Sequence, residues 1–470
     1  MKRNNFISYK NIYIGSLQLM MALLFMGCNS LLEVDPPKTE VLASEVFSSD
    51  ASASAALVGM YSSMVSTSAV QNIGYGCSLS ADETNGSDAD YPFTDFGTNV
   101  LTSSDYGAAD LWTGFYETIY QANNIIENAT ESTGMSDSIK TQFVAQAKFV
   151  RALNLFYLVN MFGPVPLTVT TDVKTNNALS RASTADVYAQ IVSDLIDAEA
   201  SLPANYSNYD DKRDKPNKSA ATALLARVYL YMDDYANAEE KATEVINTSS
   251  LYKLLSTSEI GNVFLKDSEE SIFAINLQTA SGHWVTKEQY YYYYGSEYNS
   301  LYYVLTSSLA NAFETGDVRK TAWMGSFIYE GTTYYYGAKY KDYEGASDPL
   351  EYSIVLRLSE QYLIRAEARA QQNNITGSVS DINVIRTRAA LTSLDDNIDK
   401  EQCLTDIEQE RRVELFLEYG NRWFDLKRTN RADAVIGALK PDTWKSTAVL
   451  YPIPLSEIEK APQLTQNDGY

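Results

Sequence analysis

The stretch TQFVAQAKFVRALNLFYLVNMFGPVP, residues 141–166, constrains this chain more than any other. Its apolar side chains at Phe143, Ala147, Val150, Leu153, Tyr157 and Met161 are spaced by three and four residues, which puts them on one face of an α-helix. Gly163, Pro164 and Pro166 then end it. A second helical stretch, LWTGFYETIYQANNIIENA from Leu111, precedes it across the short polar link TESTGMSDS, and links of this length favour antiparallel helix pairs.

The same arrangement returns at SAATALLARVYLYMDDYANAEEKATEVI, residues 219–246, where DDY separates two alanine-rich helices. Ala223, Ala226, Tyr229, Tyr235, Ala238 and Ala242 resemble the small and aromatic positions of a tetratricopeptide hairpin, in which small residues let two helices approach closely. Further pairs are expected at 358–372 with 378–389, and at 401–419 with a shorter follower. The fold class is therefore mainly α, a tetratricopeptide-like scaffold of helical hairpins forming an α-α superhelix, with irregular loops and small β-hairpins. Two regions interrupt the helical rhythm: about 72–110, rich in Gly, Ser, Asp and Asn, and about 276–348, rich in Tyr, Gly and Thr. Long irregular excursions on a regular scaffold are where binding residues usually sit. Within the second, FIYEGTTYYYGAKY reads as a hairpin turning at Glu330 and Gly331.

The N-terminus combines basic residues Lys2, Arg3 and Lys10, an uncharged run from Ile12 to Met26, and then Gly27 and Cys28. This is the pattern of a signal peptide over residues 1–27, too short to span a bilayer comfortably. It resembles a bacterial lipoprotein signal, which implies lipidation at Cys28, a flexible tether over 28–40 and one domain over 41–470. Cys77 and Cys403 are then the remaining cysteines, expected as free, buried thiols, although one pair alone does not settle whether they are bridged.

Charge narrows the ligands. The formal net charge of −23 disfavours capture of nucleic acid or anionic lipid through a basic field. Tyrosine outnumbers phenylalanine 35 to 16, and a ring that carries a hydroxyl suits half-wet recognition surfaces. The single histidine excludes a multi-histidine metal site, and no HExxH, GxSxG or GxxxxGK[ST] pattern occurs.

Three stretches together carry a resemblance: EQERRVELFLEYGNRWFDLKRT from Glu408, VLYPIPLSEIEKAPQLTQNDGY from Val449, and LRLSEQYLIRAEARA from Leu356. With RALNLFYLVNMFGPVPL and the lipoprotein-like start, the chain resembles the SusD/RagB family of Bacteroidetes outer-membrane nutrient-binding lipoproteins. The resemblance runs from the signal to the last residue. It implies a non-enzymatic, surface-exposed outer-membrane lipoprotein that binds a glycan and delivers it to a SusC-like TonB-dependent transporter. A peptide or glycopeptide ligand is the alternative within that role. A glycoside hydrolase would need two carboxylates roughly 5 to 9.5 Å apart across a cleft, and a pure tetratricopeptide scaffold would bind in its helical groove.

Glu410, Glu414 and Glu418 fall at steps of four with Arg411 and Arg412 between them, a pattern that fits a helix pinning its neighbours by ion pairs better than it fits catalysis. Arg422, Trp423 and Asp425 are assigned the same scaffolding role, and Trp112, which opens a family-like WxxxYxxIxxAN pattern, is assigned to the core. The loop ADETNGSD from Ala81 lacks the alternating acids of an EF-hand, so a solvated loop or a sugar-hydroxyl contact is preferred to structural calcium, and no cofactor is expected. By position in the family, the ligand-binding candidates are Asp82, Asn85, Tyr91, Phe93, Trp284, Tyr291, Tyr293 and Trp323. If the run Tyr290 to Tyr294 is extended, Tyr291 and Tyr293 share one face and the other three the opposite face.

Overall fold

In the computed structural model, which describes residues 43–66, 69–85, 94–276, 278–279, 282–283, 303–342 and 349–470, helices predominate. Cys28, the signal and tether, Tyr91, Phe93, Trp284, Tyr291 and Tyr293 lie outside the described residues. Residues Phe47–Tyr470 make one compact unit, and Met1–Val46 a second, of which the short helix Ala43–Val46 is described. No described helix is long and apolar enough to cross a membrane.

The longer elements of the large unit, in chain order, begin with α1 (Asp50–Ser66), α2 (Ala69–Ser80), α3 (Tyr106–Glu131), α4 (Asp137–Phe162) and α5 (Thr184–Ser201). They continue with α6 (Lys218–Tyr231), α7 (Tyr235–Asn247), α8 (Leu358–Gln371), α9 (Ile375–Arg388), α10 (Lys400–Glu414) and α11 (Asn421–Arg428). Helix α4 buries every residue of the expected stripe, Phe143 through Met161, and Trp112 packs in the core on α3. From α3 to α8 each of these helices packs on the next, and α9 and α10 then both pack on α8, giving the layered succession expected of helical hairpins.

The hairpins close through small residues. Ala226 and Leu230 of α6, Ala238 and Ala242 of α7, and Ile364 and Ala368 of α8 form one buried cluster, with Tyr229, Tyr231 and Tyr235 packed against it. Their N-termini are capped by short polar side chains: Asn217 accepts from the Ala220 N–H, Asp234 from Asn237 and Asp399 from Gln402. Such caps satisfy backbone donors that have no partner in the first turn, each contributing about 1 kcal/mol. Cys77 and Cys403 are both free and buried.

Strands are short and every described sheet has two of them. Those that matter for the site are β1 (Thr84–Asn85), β2 (Ser271–Ile275), β3 (Val304–Leu305), β4 (Met324–Tyr329), β5 (Thr332–Gly337) and β6 (Ser353–Arg357). The β4–β5 hairpin turns at Glu330 and Gly331, with φ of 48° and 79°, the two positive angles a tight type I′ turn requires.

One boundary differs from expectation. Helix α10 ends at Glu414, whereas the periodicity predicts a helix to residue 419. Leu417, Tyr419 and Gly420 all take positive φ, which unwinds the chain and aims it into α11. At Gly420, with φ of 74°, an added Cβ would lie 2.9 Å from the Cys77 side chain, so a glycine is required on both counts. Glu418 therefore lies beyond the helix and does not continue the row of Glu410 and Glu414.

Candidate functional site

After α2 the chain turns through Ala81–Glu83 and enters β1, which pairs antiparallel with β3, Thr84 opposite Leu305 and Asn85 opposite Val304. Strands β1 and β3, more than two hundred residues apart in sequence, thus bring parts of the two regions together. The segment after Asn85 leaves, and the segment before Val304 arrives, at the same end of it. Thr306 extends the junction: its N–H donates to the Glu83 carbonyl at 2.9 Å and its hydroxyl to the Asp82 carbonyl at 2.6 Å.

Asp82 and Glu83 fasten this junction to the stretch that resembles the family hallmark. The Asp82 carboxylate lies 2.7 Å from Arg422 Nε and 2.6 Å from Arg412 Nη2. Burial would raise its pKa, but Arg422 and Arg412 outweigh it and hold the carboxyl below its usual range. Glu83 Oε1 accepts from the Leu417 N–H at 3.1 Å, and burial, with Asp82 beside it, pushes its pKa up to about 8. Leu417 lies three residues beyond the end of α10, where the chain has left helical geometry.

These contacts correct the assignment of Asp82 as a ligand residue. It is 2% exposed and its oxygens are committed to two arginines, so it organises the loop and is not available to a sugar or to calcium. Trp323 is the second correction. Its ring is fully buried, its Nε1–H donates to the Ile260 carbonyl at 2.9 Å, and Lys339 Nζ stands 4.9 Å from the ring centroid. It packs the second excursion onto the scaffold and offers no face to a ligand. Asn85 is exposed at the end of the ladder.

Beneath the junction lies a buried network of charges. Glu414 is bound by Arg357, Arg388 and Arg319, and Arg357 also reaches Glu418 at 2.7 Å. Arg319, at the base of the β4–β5 hairpin, bridges Asp317 at 2.8 Å and Glu410 at 2.5 Å. Lys339 donates to the Glu414 carbonyl at 2.8 Å and to the Glu418 carboxylate. Glu414 is fully buried; desolvation opposes its charge, yet the three guanidiniums hold its pKa well below the ordinary glutamate range. Glu410, Glu414 and Glu418 are therefore tied to bases and pin the second excursion to the helices, as the scaffold reading expects. Arg319, Arg357 and Arg388 did not stand out in the sequence. The signal for them was present in VELFLE, where acids embedded in an apolar run must be buried and so must be paired.

The C-terminal segment closes the same region. The Tyr451 N–H donates to the Met161 carbonyl at 2.8 Å, Lys440 Nζ reaches the Leu79 carbonyl at 2.7 Å, and the Asn467 amide caps Phe162 and Tyr451.

Paired helical hairpins, a short ladder joining distant loops and acids tied to arginines define a tetratricopeptide-like helical scaffold. Comparison with known proteins gives the family. A model described as "Starch-binding associating with outer membrane" matches residues 31–230, and one described as "SusD family" matches residues 201–470. The chain belongs to the SusD family, whose members are non-catalytic binding proteins. It is 26% identical to SusD-like protein P38 of Formosa agariphila, over 98% of this chain and 99% of that one. Among solved structures, a SusD superfamily protein from Bacteroides vulgatus shares the fold at TM-score 0.78 and 21% identity, covering 90% of this chain and 99% of the other. A laminarin-binding SusD-like protein matches at TM-score 0.72 and 25% identity, covering 89% and 99%.

Proposed function

We propose that this protein is a surface-exposed outer-membrane lipoprotein, anchored through Cys28, that binds a glycan and passes it to a SusC-like TonB-dependent transporter. The observation that carries this reading is the β1–β3 ladder. It pairs Thr84–Asn85 with Val304–Leu305, so that Asn85 stands where the described parts of the two regions meet. Aromatic faces stack on the C–H faces of sugar rings, and the amide of Asn85 suits their hydroxyls. The family description names starch and outer-membrane association, and one structural relative is named for laminarin, which makes neutral glucans the first ligands to try. The acidic balance of the chain fits neutral glycans better than polyanionic ones.

The test is affinity electrophoresis of the mature protein in gels containing starch, laminarin and a wider glycan panel, followed by calorimetry on any hit. Retardation by at least one glycan, weakened in a Trp284→Ala, Tyr291→Ala, Tyr293→Ala triple variant, is the expected result. No retardation by any glycan would overturn the carbohydrate reading. Co-purification of a TonB-dependent transporter from outer membranes tests the partner, and loss of membrane association in Cys28→Ala tests the anchor.

A further inference from the structure

The chain leaves the scaffold at Ser80, the last residue of α2, and Asn99, 19 positions later, meets it there again. Asn99 takes a φ of 57° and is 6% exposed, and its Nδ2–H donates to the Ser80 carbonyl at 3.1 Å. A third residue closes this neck from far away in sequence. Lys440 Nζ donates to the Leu79 carbonyl at 2.7 Å, to Asn99 Oδ1 at 2.7 Å and to the Ser80 carbonyl at 3.3 Å. An ammonium has three N–H donors, so all of them are committed. Leu79 and Ser80 stand in the last turn of α2, where carbonyls lack intrahelical partners and the helix dipole favours a positive charge. The Asp82 carboxylate favours the charged form of the lysine as well.

The scaffold fixes Lys440 in turn. It follows the short helix Ala432–Leu439, and its N–H donates to the carbonyl of the fully buried Ile436 at 2.7 Å. The Trp444 N–H donates to the Lys440 carbonyl at 2.9 Å, and the Trp444 ring meets the buried Trp423 ring edge-on at 6.2 Å. Tyr451 supports the neck from another side: its hydroxyl is 3.0 Å from Ser80 Oγ, and its ring packs edge-on against Phe96 at 5.0 Å. Asp82, Glu83 and Asn85 follow Ser80 in the chain, and Thr306 is hydrogen-bonded to the Asp82 and Glu83 carbonyls. The place of the neck is therefore passed on to the β1–β3 ladder.

We infer that Lys440 is a positioning residue for the glycan site: by closing the neck at Ser80 and Asn99 it fixes where Asn85 and the β1–β3 ladder stand, without itself contacting ligand. The inference rests on the glycan-binding reading above and adds to it a residue distant in sequence from every ligand candidate. A junction that is already tethered loses less freedom when ligand binds, so the bonds made by Lys440 contribute to affinity.

The experiment combines hydrogen exchange, read by mass spectrometry, with calorimetry on laminarin, starch and any other glycan that retards the protein, using the full mature chain at pH 6. Desolvation lowers the pKa of Lys440 to about 7, so the lysine carries its proton there. The variants are Lys440→Met, which keeps the length of the stem and removes the donors, Lys440→Arg, which restores them, and Asn99→Gly, which opens the neck from its other side and accepts the positive φ. In Lys440→Met, protection is expected to fall in peptides covering 79–85 and 303–306 and to stay at the wild-type level in the α6–α7 hairpin. Affinity falls about ten-fold, the range set by ordering a few side chains on binding. Asn99→Gly reproduces both losses, and Lys440→Arg recovers most of each. Lys440→Met that binds as tightly as wild type, a loss of protection spread equally over the α6–α7 hairpin, or Lys440→Arg behaving as Lys440→Met overturns the positioning role while leaving glycan binding intact. If the wild type binds none of the glycans, the glycan reading falls and the positioning role falls with it.

Discussion

Arg422 reaches Asp82 across 340 positions of sequence, Nε to Oδ1 at 2.7 Å, and both side chains are almost wholly buried. The pair joins the first turn of α11 to the first residues of the loop that enters the β1–β3 ladder. Arg412 adds a second guanidinium to the same carboxylate. The loop is thereby fixed at its root by the scaffold, whatever its tip contacts.

Asp82→Asn keeps the shape of the side chain and removes the charge facing Arg422 and Arg412. Breaking a buried pair from one side leaves an uncompensated charge, and the expected loss of stability is about 3 kcal/mol or more in urea unfolding. Because the loop root is loosened, glycan affinity falls as well. If Asp82 instead contacted ligand directly, affinity would fall with stability unchanged, and that pattern would contradict the burial seen here.

Glu414→Gln removes the one carboxylate shared by Arg319, Arg357 and Arg388, and is expected to cost about 3 to 5 kcal/mol. The same carboxylate sets an acid limit. Its folded pKa is depressed, as are those of Asp82 and Asp425, so the unfolded state binds more protons as pH falls below the ordinary carboxylate range. Stability present at neutral pH is therefore lost on acidification. Thermal melts between pH 7 and pH 3 will show a steeper decline in the wild type than in Glu414→Gln.

Lys427 adds a slope of the same sign on the alkaline side. It is buried, donates to the Asn160 carbonyl, and lies 5.6 Å from the Trp423 ring; desolvation lowers its pKa to about 7. An unfolded lysine titrates near 10.4, so between pH 7 and about 10 the unfolded state binds the extra proton. The contribution of this group then makes stability rise with pH, by up to about 1.4 kcal/mol per unit, and below pH 7 the cost of burying the charge is constant. Lys427→Met removes that contribution. The variant should gain more stability relative to wild type at pH 6.5 than at pH 9.5, and an equal difference at both pH values would show that Lys427 is not the titrating group.

Trp323→Ala separates packing from binding. The indole is fully buried against Phe264, at 5.6 Å between centroids, and its N–H is satisfied by Ile260. Its removal is expected to cost about 3 to 5 kcal/mol in chemical denaturation, the range for an aromatic deleted from a core. Trp323→Phe, which keeps an aromatic ring, should recover most of the loss and bind glycan as the wild type does.

The sequence by itself determined the scaffold. The three-and-four spacing of α4, the alanine pairs of α6 and α7, the capping residues Asn217, Asp234 and Asp399, and the hairpin turn at Glu330 and Gly331 are local signals, and each is decided within a few neighbouring residues. The first interruption is shorter than its composition suggests: helix α2 runs through residues 72–80, and α3 begins at Tyr106. What an acidic or aromatic residue does within an excursion was not legible, since burial depends on partners hundreds of positions away. Only the tertiary structure showed Asp82 facing Arg422, Trp323 enclosed above Lys339, α10 stopping at Glu414 so that Leu417 could meet Glu83, and Thr84–Asn85 pairing with Val304–Leu305. The physical reason is that desolvation is a property of the assembled neighbourhood: the same carboxylate or indole is a surface ligand when water reaches it and a structural brace when the chain closes over it.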